Sequence, residues 1–341
     1  MKALVQAHDL AMTFDVSPPW LNRVVEGKPR QLLHAVDGVS FEIEKGKTLA
    51  LVGESGCGKS TMGKALMRMI QPPGRISSGK LIFDGENIMT YDENQMRDFR
   101  GRKISMIFQD PMSSLNPVLT IRTQMKEILQ YHTRKTAVEI EAECISLLDK
   151  VRIRKPKEVL SQYPHQLSGG MRQRIMIAIA IACHPDLIIA DEPTTSLDVT
   201  VQAQMIDLLR DIQALTNAAI LLITHNLAVV ACMCKRVLVF YAGKIVEDSI
   251  IDDCFAHPLH PYTMGLLKAV PRLTSLDEEP LATIPGSPPD LIALPTGCTF
   301  HPRCQFAMQI CAIEEPSLQT VKGRKVACWL YDPRNPGRTA E

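Results

Sequence analysis

Between residues 48 and 239, short apolar runs alternate with stretches whose apolar residues recur at helical spacing, the pattern of an α/β sheet with crossover helices. Thr48-Leu49-Ala50-Leu51-Val52, Leu187-Ile188-Ile189-Ala190, Ala219-Ile220-Leu221-Leu222-Ile223 and Arg236-Val237-Leu238-Val239-Phe240 predict buried strands. Residues 170–183 and 200–215 predict crossover helices, the second after a turn carrying Ser196 and Asp198. Lys80-Leu81-Ile82-Phe83-Asp84-Gly85 and Ala242-Gly243-Lys244-Ile245-Val246-Glu247 predict hairpin strands around glycine turns, hence an antiparallel layer. Residues 121–160 have no strand pattern and many helix formers, and predict a helical subdomain inserted into the sheet domain. The stretch from Pro18-Pro19 to Pro29 predicts a loop insertion. From Pro271 onwards the chain turns proline-rich and irregular, and an appendage without an obvious core is expected.

A chain of 341 residues accommodates one large α/β domain with such an appendage, or two modest domains, and 45% hydrophobic with 22% charged residues is ordinary for a globular protein. A formal net charge of +1, without a lysine- and arginine-rich stripe, argues against a nucleic-acid binder. The N-terminus has no apolar signal region, so a cytoplasmic protein is expected. The most apolar stretch, 175–190, is interrupted by His184, Pro185 and Asp186 and is too short to span a bilayer. Any membrane role must therefore come through a partner.

Gly53-Glu54-Ser55-Gly56-Cys57-Gly58-Lys59-Ser60, followed by Thr61, matches G-x-x-x-x-G-K-[ST] directly after a predicted strand and before a helix. Glycines let backbone N–H groups wrap a triphosphate, and the helix N-terminus favours anions. Lys59 would reach the β- and γ-phosphates, and the Ser60 hydroxyl would ligate Mg²⁺. The strand 187–190 ends in Asp191 and Glu192, two adjacent acids that are costly to place without a cation. Asp191 fits the role of holding Mg²⁺ through its water shell, and Glu192 that of orienting and deprotonating the attacking water.

Leu167-Ser168-Gly169-Gly170-Met171, lying between that loop and the carboxylates, resembles the signature motif of the ATP-binding cassette (ABC) family. The resemblance implies a P-loop NTPase α/β fold with an antiparallel β layer, an inserted helical subdomain at about 115–185 and a nucleotide, ATP with Mg²⁺, sandwiched between two subunits. In that family Ser168, Gly169 and Gly170 close on the γ-phosphate bound by the partner subunit. The rest of the set is similar too: Gln109 would reach the metal and the lytic water, Asp198 would organise the dimer interface, and His225 would contact the γ-phosphate. Phe14 is the best match for the ring placed against adenine, on a loop that the 16–30 insertion makes longer than in the shortest family members.

Gln109-Asp110-Pro111-Met112-Ser113-Ser114-Leu115-Asn116-Pro117 and His260-Pro261-Tyr262-Thr263-Met264-Gly265-Leu266-Leu267 resemble the dipeptide and oligopeptide importer branch. This implies an ATP-binding domain at 1–256 and a C-terminal extension at 257–341. It also implies two transmembrane permease subunits, a second and different ATP-binding subunit, an extracytoplasmic substrate-binding protein, and a peripheral location on the cytoplasmic membrane face. Alternatives are a nickel-chelate or sugar importer of the same branch, or an ATPase of the same fold acting on DNA or ribosomes. Ten cysteines without a secretion signal argue against a disulfide framework. Cys298, Cys304, Cys311 and Cys328 resemble the branch's C-terminal cysteine pattern and suit a [4Fe–4S] cluster, with zinc or free thiols as alternatives. Cys57, Cys144, Cys183, Cys232, Cys234 and Cys254 read as small buried hydrophobes.

Overall fold

In the computed structural model, which describes residues 2–19, 22, 23, 25, 29–195, 198–269 and 283–332, every run read as a buried strand is one. Among the described residues the strands are, in chain order, Ala3–Asp15 (β1), Leu32–Glu44 (β2), Thr48–Val52 (β3), Gly74–Phe83 (β4), Glu86–Asn87 (β5), Ile104–Ile107 (β6), Leu187–Asp191 (β7), Ala219–Thr224 (β8), Arg236–Tyr241 (β9), Lys244–Ile250 (β10), Gln319–Val321 (β11) and Arg324–Val326 (β12). The chain divides into two compact units, residues 1–4, 43–48 and 84–223, and residues 5–42, 49–83 and 224–341.

In the first unit β6, β7 and β8 pair in parallel, with Ile104 opposite Leu187 and Leu187 opposite Ala219. Every residue of these strands is buried, which is why they carry no polar alternation. The expected helical subdomain is present. Ile121–His132 starts at Thr120, whose side chain accepts the Thr123 N–H, and Ala137–Lys150 starts at a reciprocal Thr136/Glu139 capping box. Gly169–Ile181 is capped by Ser168 and from Ile175 onwards is apolar on every side, as a helix segment buried on most sides must be. Val199–Thr216 is capped by Asp198 and ends at Asn217 in the left-handed conformation.

In the second unit β1 pairs antiparallel with β4, from Val5 opposite Phe83 to Phe14 opposite Gly74. β3 pairs in parallel with β9, and β9 turns through Ala242 and Gly243 into antiparallel β10. β10 then takes on β12, and β12 pairs with β11.

Two expectations need correction. The proline-rich insertion is not all loop, because Asn22, Arg23 and Val25 are helical, and the Arg23 N–H donates to the Pro19 carbonyl at 3.1 Å. Proline is well tolerated in such a first turn, where its missing N–H is unneeded. The C-terminal appendage is not coreless either. Leu259, Val326, Cys328 and Leu330 form a buried cluster with Phe306, Met308, Val321 and Tyr331 against it. These residues are too dispersed in sequence to form a period, and a three-residue strand such as β12 becomes legible only when β10 offers it an edge. Pro271 and Pro280 lie outside the described residues.

Candidate functional site

The phosphate loop leaves β3 at Val52 and enters the helix Lys59–Leu66. Two of its glycines are required by close backbone approaches: a Cβ on Gly53 would sit 2.1 Å from the Phe240 carbonyl oxygen, and one on Gly58, at φ 106°, 2.0 Å from that of Ala35. Lys59 is 4% exposed, and its Nζ donates to the carbonyls of Gly53 and Glu54, both at 2.8 Å. Ser55 and Gly56 are exposed, whereas Ser60 and Thr61 are half-buried in the first helical turn. Burial raises the Cys57 thiol above its ordinary range, outweighing the opposing pull of Lys59, so it is not a reactive thiolate.

Glu54 is held in a way that the sequence reading missed. Its N–H donates to the Tyr262 hydroxyl at 2.7 Å, and its carboxylate accepts both ends of the Arg303 guanidinium, at 2.7 and 2.9 Å. These partners lie 208 and 249 residues away, and no local pattern announces either.

In the first unit, β7 brings Asp191 and Glu192 to its end, 4% and 8% exposed. Glu192 has a φ of 45°, a costly conformation for a residue with a side chain, and its N–H donates to the Ile223 carbonyl at 2.8 Å. Its Oε2 accepts from Gln109 Nε2 at 2.9 Å and from the Thr195 hydroxyl at 2.8 Å. Gln109 and Glu192, both singled out in the sequence, are thus brought together, and Thr195 is added to them. The next peptide is anchored by Gln173, 2% exposed, whose Nε2 donates to the Pro193 carbonyl at 2.8 Å. A carboxylate aimed by a strained backbone and two side-chain donors is a fixed acceptor suited to orienting a water.

Ser168 accepts the Met171 N–H at the start of its helix, and Gly169 beside it is exposed; among the described residues, its chain neighbours and own helix backbone apart, no atom lies within 4 Å of where its Cβ would be. Asp198 is exposed and accepts the Val201 N–H at 2.9 Å, while Ser196 and Leu197 lie outside the described residues. In the second unit His225 follows β8 and is exposed. Phe14 is half-buried on β1 with its ring over Gly74, where a Cβ would come within 2.4 Å of it.

Cys298, Cys304, Cys311 and Cys328 line one small cavity together with His301. Burial pushes the Cys298 thiol up to about 11, Cys328 up to about 12, and Cys304 upward. Among the described residues no group of three or more His, Cys, Asp or Glu is gathered to hold a single metal ion, and the cysteines are free thiols. Of the other six, Cys57, Cys144, Cys234 and Cys254 are buried as expected. Cys183 is only half-buried and Cys232 is exposed on the short helix Leu227–Met233, so the buried reading fails for them.

No helix of the described residues is long and apolar enough to cross a membrane. The sequence matches the family model "ABC transporter" over residues 36–195 and the model "Oligopeptide/dipeptide transporter, C-terminal region" over residues 246–311. It is 47% identical to the oligopeptide transport ATP-binding protein AppD of Bacillus subtilis, covering 89% of this chain and 93% of that protein. It is 45% identical to the oligopeptide transport ATP-binding protein OppD of Escherichia coli, covering 96% and 93%. A solved dimeric ATP-binding cassette in a post-hydrolysis state with ADP and Pi shares the fold, with a TM-score of 0.62 at 23% identity over 72% of this chain and 98% of that one.

Proposed function

This chain belongs to the ABC transporter family, among the ATP-binding proteins of oligopeptide and dipeptide transport, and from that premise we propose that it hydrolyses ATP to power the import of peptides through a membrane permease. The observation that carries the reading is the joining, on one chain, of the ABC match at 36–195 and the peptide-transporter match at 246–311. Relatives named for peptide transport favour that cargo over a nickel chelate or a sugar, and over work on DNA or ribosomes.

In this proposal residues 1–256 are the ATP-binding domain and 257–341 the extension. The loop 53–61 wraps the phosphates, with Lys59 exchanging its carbonyl partners for phosphate oxygens. Ser60 and Asp191 offer the hard oxygen donors that Mg²⁺ prefers, with Gln109 in support, and the ion supplies charge neutralisation on the phosphates when bound. Glu192, aimed by Gln109 and Thr195, takes the proton of the attacking water, His225 steadies the γ-phosphate, and Phe14 stacks on the adenine. Among the described residues nothing beyond its chain neighbours and its own helix approaches position 169, so their packing gives no reason for a glycine there. A close approach from outside, the nucleotide of a second ATP-binding subunit, supplies the reason, with Asp198 at the same interface. The remaining partners are two permease subunits and an extracytoplasmic binding protein, with the chain peripheral on the cytoplasmic membrane face.

The four late cysteines are proposed to hold a [4Fe–4S] cluster. What supports the reading is that the four thiols line one small cavity, and zinc or free thiols are the competing occupancies. Anaerobically purified protein should show broad absorption near 400 nm and acid-labile sulfide; the absence of both would remove the cluster.

The function is tested by recovering the tagged chain from gently solubilised native membranes. Two polytopic permeases and a second ATP-binding chain are the expected companions, with ATP hydrolysis rising when peptide and binding protein are added. Ribosomal or DNA-bound companions without permeases would overturn it.

A further inference from the structure

We propose that Arg303 is a positioning residue of the phosphate loop, by which the C-terminal extension sets the affinity for nucleotide. The inference rests on the ATP-binding reading and goes beyond it, because it assigns a role in that site to residues near the far end of the chain.

Glu54 is gripped at three of its atom groups. The carboxylate receives the bidentate Arg303 fork, the N–H donates to Tyr262, and the carbonyl accepts the Nζ of Lys59, the cation meant for the phosphates. Whatever displaces residue 54 therefore disturbs one of the two carbonyls that hold the Lys59 Nζ. Arg303 is itself locked in place. Its side chain is 5% exposed, it donates to the Pro285 carbonyl at 2.9 Å, and it lies over the rings of Tyr241 and Phe300 at 5.9 and 6.0 Å. Tyr241, Tyr262 and Phe300 pack on one another with centroids 4.6 to 5.4 Å apart, so both arms on Glu54 rise from one aromatic platform.

The charge balance gives the grip a functional meaning. A carboxylate at the second position of a loop built for polyphosphate repels its ligand unless it is neutralised. The planar guanidinium does this bidentately, which a lysine cannot reproduce. Arg303 also adjoins Cys304 in sequence, so the cysteine-lined cavity and the phosphate loop lie at two ends of one short connection.

The test is Mg-ATP binding to the full-length chain, by titration calorimetry at low and high salt. R303A should weaken the Kd at least about tenfold, and the deficit should shrink as salt screens the bare Glu54 carboxylate. R303K should fall between R303A and wild type. In an E54Q background, where no charge needs neutralising, R303A should cost less than about threefold, a rescue that a merely structural arginine would not allow. An unchanged Kd in R303A, or no rescue by E54Q, would overturn the proposal. If R303A does not accumulate as folded protein, R303K decides: a Kd within twofold of wild type overturns the proposal and a weaker one supports it. If wild-type chain binds no ATP, the nucleotide reading itself fails, a result distinguishable from the others.

Discussion

His260 opens the C-terminal extension as the cap of the helix Pro261–Lys268, and its burial makes the stability of this region depend on acid. The imidazole is 1% exposed, and its Nδ1 accepts the Tyr262 N–H at 3.0 Å. Burial pushes its pKa down from 6.5 to about 3, against the opposing pull of a hydrogen bond with the Ala327 backbone. The ring is therefore neutral in the folded state. Below pH 6.5 the unfolded chain takes up a proton that the folded chain refuses until about pH 3. The unfolded state then binds more protons, and stability falls as pH falls through that window, flattening beyond either end. The slope approaches about 1.4 kcal/mol per pH unit, and the loss from pH 7 to pH 5 is about 2 kcal/mol.

His260→Asn removes the titration while keeping an oxygen to accept the Tyr262 N–H, since asparagine is a good helix cap. Urea unfolding at pH 7, 6 and 5 would be followed by the fluorescence of Trp329, in the extension, with Trp20 replaced by phenylalanine in both proteins. The stability difference between wild type and variant should move by about 2 kcal/mol across that range, the other titrating groups being common to both. Parallel pH profiles would refute a buried neutral His260.

Glu192→Gln should leave ATP affinity within about twofold while lowering turnover by roughly 10²–10⁴-fold, read as phosphate release by the assembled transporter; wild-type turnover would remove Glu192 as the base. Gly58→Ala drives a Cβ against the Ala35 carbonyl, a backbone atom that cannot swing aside, and should weaken ATP binding by about tenfold or more in a calorimetric titration. Glu247→Ala should destabilise the extension by roughly 3 kcal/mol in the Trp329 unfolding assay. Its carboxylate, 0% exposed, accepts the Leu259 and His260 N–H groups, the latter at 2.8 Å, and both would be left buried and unpaired.

The sequence alone determined whatever is built from neighbours along the chain. The buried strands β3, β7, β8 and β9 announce themselves because each is covered on both faces and its central run is apolar. The phosphate loop is legible because its chemistry needs glycines, a lysine and a serine within eight consecutive residues. The helix starts at Ser168 and Asp198 involve only near neighbours, because a cap acts over three residues.

Only the tertiary structure decided which distant groups meet. Glu192 gains Gln109 from 83 residues away, and Glu54 gains Arg303 from 249 away. The appendage finds a core once β12 pairs with β10 and Leu259 meets Val326 and Leu330. Hydrogen bonds and side-chain packing depend on distance in space, whereas periodicity and capping depend on distance along the chain. A contact across hundreds of residues therefore leaves no local trace, and only the fold carries Arg303 to the phosphate loop.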